Sequence, residues 1–149
     1  MHVWVKLWII ILRNGLVALG MSPSKYVCEA AKNCAKCVKD NFPGKYNLPA
    51  RAGNPFFVGY EAVMDTSKAL DLDEASYFQS IIGILRWMVE IGGIDNATEV
   101  SLLSSHLSYS REGHLEVAFH VMAYLKQKHN SQLVFDPTYP KTNESIFKD

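Results

Sequence analysis

A chain of 149 residues is the usual size of one domain, and 48% hydrophobic with 11% aromatic residues is enough for a packed core, so disorder of the whole is excluded. Fifteen basic and fifteen acidic residues cancel, which removes the global field that would steer a free protein to nucleic-acid phosphates. Cys28, Cys34 and Cys37 fall on one predicted helix with no second pair to complete a four-ligand zinc site, and they read as small side chains in a reducing compartment.

The first twenty residues superficially resemble a secretion signal, Lys6 being followed by the apolar run Leu7 to Leu12. Arg13-Asn14-Gly15 interrupts that run after six residues, too short for a signal core and far too short for a membrane span. A hairpin fits better. Val3, Trp4, Val5 and Leu7 to Ile11 are strand formers, Asn14-Gly15 is a favoured two-residue turn, and Leu16 to Met21 returns as the partner. Ser22 is placed to cap a helix whose first residue is Pro23, with Tyr26, Val27, Ala30, Cys34 and Val38 on one stripe. Lys32, Lys36 and Lys39 form another face, read as solvated.

Pro43-Gly44, Pro49, Gly53-Asn54-Pro55 and Gly59 break all periodicity, so residues 41–73 read as an extended linker crossing a surface. Asp65, Asp71, Asp73 and Glu74 suit the first turn of the next helix better than a metal site. Both Asp71/Glu74 and Ser76/Gln79 have capping-box spacing, Tyr77, Ile81, Ile84, Leu85, Met88 and Ile91 make the core stripe, and Gly92-Gly93 ends the helix. Gly83 within it predicts close approach of another backbone. Asn96/Glu99 is a further capping box, ahead of a helix lined by Ala97, Val100, Leu103 and Leu107. Ser110 caps the last helix, Leu115, Ala118, Phe119, Met122 and Leu125 form its buried face, and Asn130 ends it. Gln132 to Phe135 is a short strand. The expectation is thus a mainly helical α+β chain: hairpin and helix (1–40), linker (41–73), three-helix bundle with a short strand (74–135), and a tail (136–149).

The run Tyr77-Phe78-Gln79-Ser80-Ile81-Ile82-Gly83-Ile84-Leu85-Arg86-Trp87, then Ile94-Asp95, Leu102-Leu103-Ser104, His114 and Ala123-Tyr124-Leu125-Lys126, resembles the C-terminal part of the reverse transcriptase of copia-type LTR retrotransposons. The hairpin followed by Met21 to Val27 is similar to the end of that enzyme's palm. The resemblance implies that 74–135 is the thumb-like part steadying an RNA/DNA template-primer duplex, that 1–40 is a palm remnant, and that the tail leads toward an RNase H domain. It implies an intracellular setting, in cytoplasm or nucleus, and no membrane partner. The parent polymerase needs magnesium or another divalent metal on paired aspartates. No Asp-Asp pair occurs in these 149 residues, so no catalytic residue, cofactor or metal is assigned to the chain itself. Gly93-Ile94-Asp95-Asn96 stands where the family commonly has an Arg-Pro-Asp-Ile-like sequence, so an arginine and an apolar helix-start residue are missing.

Candidates for phosphate contact are Arg111, His114, Lys126, Lys128 and His129, with solvated surface or helix capping as the competing role for each. From residue 111 to 129 three cations face two anions, a weak patch. His114 and His120, six apart on one helix, stand about 120° from each other and make a poor metal pair. Three readings remain: an inactive polymerase fragment, a nucleic-acid-binding module that keeps the duplex contacts, and a secreted protein with its mature start near Met21.

Overall fold

The structure, a computed structural model, describes residues 5–138. Val3 and Trp4 of the expected first strand, and residues 139–149 of the expected tail, lie outside these. β1 (Lys6–Ile11) pairs antiparallel with β2 (Val17–Ser22), from Ile11 opposite Val17 to Lys6 opposite Ser22. The connection is not the two-residue Asn14-Gly15 turn expected. Leu12 and Leu16 close it, with the Leu12 N–H donating to the Leu16 carbonyl and the Gly15 N–H to the Leu12 carbonyl, each at 2.9 Å. Gly15 has φ +81°, and among the described residues only glycines have positive φ. A two-residue type I′ turn would require it of Asn14 as well. Asn14 instead accepts the Leu16 N–H at Oδ1 (3.1 Å). β3 (Leu133–Phe135) pairs with the far edge of β2, giving the order β1-β2-β3.

The first helix, α1 (Ser24–Asn41), starts one residue later than expected, with Pro23 in the cap position. The Ser22 hydroxyl accepts the Ser24 N–H at 3.3 Å and donates to the Ser131 carbonyl at 3.0 Å, tying the helix start to the chain that enters β3. Val27, Ala30, Ala31, Cys34 and Val38 are buried, while Lys32, Lys36 and Lys39 are exposed.

For α2 (Leu72–Glu90) the Asp71/Glu74 box is the one made: the Glu74 N–H donates to Asp71 Oδ1 (2.9 Å), and the Asp71 N–H to Glu74 Oε2 (3.2 Å). Ser76 and Gln79 lie inside the helix. Its end is a Schellman motif, the Gly93 N–H reaching the Met88 carbonyl (2.9 Å) and the Gly92 N–H the Val89 carbonyl (3.3 Å), with Gly92 at φ +123°. No backbone approaches Gly83, where an added Cβ would meet nothing within 4 Å. Its position on the exposed face makes it a pure loss of helix propensity. Gly83→Ala is therefore expected to stabilise the chain by about 0.5 to 1 kcal/mol, read as a higher urea midpoint with an unchanged slope.

The Asn96/Glu99 box does not form. A single 3-10 turn, Ile94–Asn96, leads into α3 (Ala97–Ser104) and leaves Asn96 at φ −110°, ψ 11°, away from the extended conformation from which a cap side chain reaches back. Asn96 is 1% exposed and neither Oδ1 nor Nδ2 has a hydrogen-bond partner. The last helix, α4 (Glu112–Gln127), is capped at Arg111 rather than Ser110 and ends at Lys128 rather than Asn130.

Residues on either side of the 41–73 segment share one apolar core, in which α1 packs on α2 and α4. Phe78, Ile81, Ile82, Leu85 and Met88 from α2 meet Val100 and Leu103 of α3 and Leu115, Phe119, Met122 and Leu125 of α4. Burial of α4 extends beyond the expected stripe to Val117, Val121 and Ala123. The reason is the segment between α1 and α2, which crosses the side of α4 that would otherwise face water. Tyr46, Ala52 and Ala62 on it are buried, the Ala52 N–H donates to Gln127 Oε1 (3.1 Å), and the Glu112 N–H donates to the Lys68 carbonyl (2.9 Å).

Candidate nucleic-acid interface

The five candidate residues divide between the two ends of α4. At about 1.5 Å per residue along a 16-residue helix, Arg111 and His114 stand roughly 18 Å or more from Lys126, Lys128 and His129. They do not make one patch.

At the N-terminal end, the 41–73 segment, a strap across α4, is locked to the helix. Arg111 donates from Nη1 to the Ser67 carbonyl, and its guanidinium lies 5.0 Å from the centre of the Tyr109 ring. His114 is 2% exposed. Its Nδ1 accepts the Arg111 N–H at 3.1 Å, which leaves Nε2 to donate to the Ala62 carbonyl at 3.0 Å. With both ring nitrogens engaged inside the protein, His114 cannot reach a phosphate in this conformation; it is a packing and capping residue. His106 stacks on it at 4.4 Å between ring centres. Local spacing does not predict that pair, because His106 lies in the turn after α3 and only the fold sets where this turn meets α4.

Asp65 sits at the start of α4, accepting the Ser67 N–H (2.8 Å) and the Tyr60 hydroxyl (3.1 Å), while Ser67 Oγ accepts the Gly113 N–H (2.8 Å). Burial alone would raise the Asp65 carboxyl, but the hydrogen bonds from Ser67 and Tyr60 hold it below its ordinary value. Burial, and then the His114 neighbour, depress His106 below the usual imidazole value of 6.5. A group whose folded pKa is depressed stabilises the fold above its unfolded pKa and loses that contribution as pH falls through the folded pKa. Both groups therefore act in one direction: the thermal midpoint is expected to fall as pH drops below 6.5, and again in the carboxylate range. Melting curves of His106→Gln and Asp65→Asn check this, each flattening its own part of the profile.

At the other end Lys126 and Lys128 are exposed. His129 is half-buried, with Nδ1 2.9 Å from Ser24 Oγ, so it joins α4 to the start of α1. Among the described residues, Lys126 and Lys128 have no ion-pair partner. The cleft of about 230 Å³ between α2 and α3 offers Arg86 against Glu90, with Ser101 and Ser104, and so has no net charge with which to hold phosphate.

Sequence reading did not find the polar cluster beneath the strap. Glu74, 2% exposed, accepts the Lys45 ammonium and the Tyr46 hydroxyl (3.1 Å), and Lys45 also reaches Glu112 at 3.2 Å. Burial works against the Glu74 carboxylate, but Lys45, the Asp71 N–H and Tyr46 together hold its pKa below the ordinary value. Among the described residues no group of three or more His, Cys, Asp or Glu side chains is gathered to hold a metal ion, and no helix is long and apolar enough to cross a membrane. Comparison with protein families, with curated proteins and with solved structures finds no match.

Proposed function

We propose that this chain is a catalytically inactive, thumb-like piece of a copia-type RNA-directed DNA polymerase. What supports the reading is the fate of its motif residues. Phe78, Ile81, Ile82, Leu85, Leu103, His114 and Leu125, drawn from stretches separated by up to 47 residues, are all buried. These buried members of the motif carry the fold, while Gln79, Ser80, Arg86, Trp87, Leu102 and Lys126 of the same stretches are exposed. Asn96 supports drift from an active ancestor, since an amide without a partner occupies a buried position where the family commonly has an apolar residue. Inactivity follows from the lack of an Asp-Asp pair in the chain, because two-metal transfer needs closely placed carboxylates.

The parent enzyme's palm, RNase H region and template-primer duplex are the partners this reading implies, in an intracellular setting. Direct duplex contact would rest on Lys126 and Lys128. A labelled RNA/DNA hybrid titrated with the chain at several salt concentrations is then expected to give a log–log slope no steeper than about −2, two lysines releasing about 0.9 counterion each. A steeper slope would favour a dedicated binding module. Extension of a primer by the purified chain with Mg²⁺ or Mn²⁺ would overturn the inactive reading.

A further inference from the structure

We propose that one face of the three-stranded sheet is a self-association surface, on which a second copy of this chain docks face to face. This stands on the sheet alone and does not depend on the polymerase reading.

Side chains alternate across a strand, and the register places Leu7, Ile9 and Ile11 of β1, Val17, Leu19 and Met21 of β2, and Leu133 and Phe135 of β3 on one face. Met21 and Leu133 lie near Gly92 at the end of α2. The other six project beyond the helices, with exposures from 44% for Leu19 to 76% for Ile11. Together they present on the order of 600 Å² of apolar surface, at the upper limit for the largest patch on an ordinary monomer.

Charge decides what fits. No charged side chain stands among the eight positions, and Lys6 alternates to the opposite face. A phosphate backbone or an acidic peptide would find no cation there. A two-fold contact sets the same patch against itself, and an uncharged patch meets no like charge in doing so. Two copies would remove on the order of 1,200 Å² from water, the lower bound for interfaces that hold in solution. Residues 139–149 carry Tyr139, Ile146 and Phe147 beside Lys141, Glu144, Lys148 and Asp149, a charged composition set against an uncharged face.

Sedimentation equilibrium of the full chain tests this. A species of twice 16.8 kDa is expected, with a dissociation constant of micromolar order, as an interface of this size and little polar pairing implies. Ile9 and Leu19 are opposite one another at the centre of the face. Ile9→Lys with Leu19→Lys should weaken association by about a hundredfold or more, because each copy would bring unpaired ammonium groups to the contact, while the helical circular dichroism stays unchanged. Should that double variant lose its helical signal, Ile11→Lys, at the most exposed of the six positions, makes the same test. A wild-type chain that remains at 16.8 kDa up to about 100 µM, well above such a constant, overturns the proposal. So does a dimer that survives the lysines in a folded variant. A monomer that dimerises only after deletion of residues 139–149 assigns the face to the tail and equally overturns it.

Discussion

Replacing Asn96 with isoleucine is expected to stabilise this chain by about 1 to 2 kcal/mol, raising the thermal midpoint by several degrees for a domain of this size. Polar substitution in the reverse sense is the usual route to damage, so the sign is the informative part. Asn96 is buried, and neither its amide oxygen nor its nitrogen has a partner. The folded state therefore carries the desolvation of both groups, which the unfolded chain returns to water. Loss of a helix cap does not oppose the change, because the Asn96 side chain makes no capping bond. The larger apolar side chain must be accommodated, which sets the lower end of the range. Differential scanning calorimetry at matched protein concentration measures the effect, and an unchanged or lower midpoint would show that those amide atoms are satisfied in solution.

The opposite result is expected at Glu74. Glu74→Ala should destabilise the fold by about 3 kcal/mol, since it removes half of the only capping box on α2 and leaves the buried Tyr46 hydroxyl without its acceptor. Glu74→Gln keeps the volume and should do less harm. Its dependence on pH identifies the cause. The carboxylate's folded pKa lies below its unfolded value of 4.5, so its contribution is present above pH 4.5 and lost as pH falls through the folded pKa. The gap between wild type and Glu74→Gln in urea titrations is thus expected to close on acidification.

Most of the fold's elements were legible because their signals are local. The 3.6-residue stripes of α1 and α4, the glycine pair after α2, and the Asp71/Glu74 spacing each depend on neighbours a turn away; the α2 stripe is offset, Phe78 and Ile82 being buried while the expected Tyr77 and Ile84 are half-buried. Errors arose where two local solutions competed or where packing decided. Asn14-Gly15 allows a two-residue turn, yet the Leu12–Leu16 closure prevails. Asn96 and Glu99 have capping spacing, but the 3-10 turn at the start of α3 rotates Asn96 inward. Val117 and Val121 looked peripheral because nothing in a run of prolines and glycines announces that it will lie against α4.

For the candidate site the same distinction holds. Arg111, Lys126 and Lys128 were recognisable as cations, but whether a cation is free depends on tertiary partners. Ser67 engages Arg111, and Ala62 engages His114, each from more than forty residues away. Lys45, whose ammonium reaches both Glu74 and Glu112, sits on the strap just after a proline and glycine and carried no sequence signal.

The enclosure of α4 sets the order in which the molecule can open. With helices on several sides and the strap across the remainder, no single neighbour can leave and expose the backbone of α4 to solvent. Its central amides should exchange hydrogen for deuterium only through global unfolding, while β1, held along one edge and largely clear of the helices, should exchange through local fraying. The chain would then behave as a slow-exchanging axle with a fast-exchanging vane.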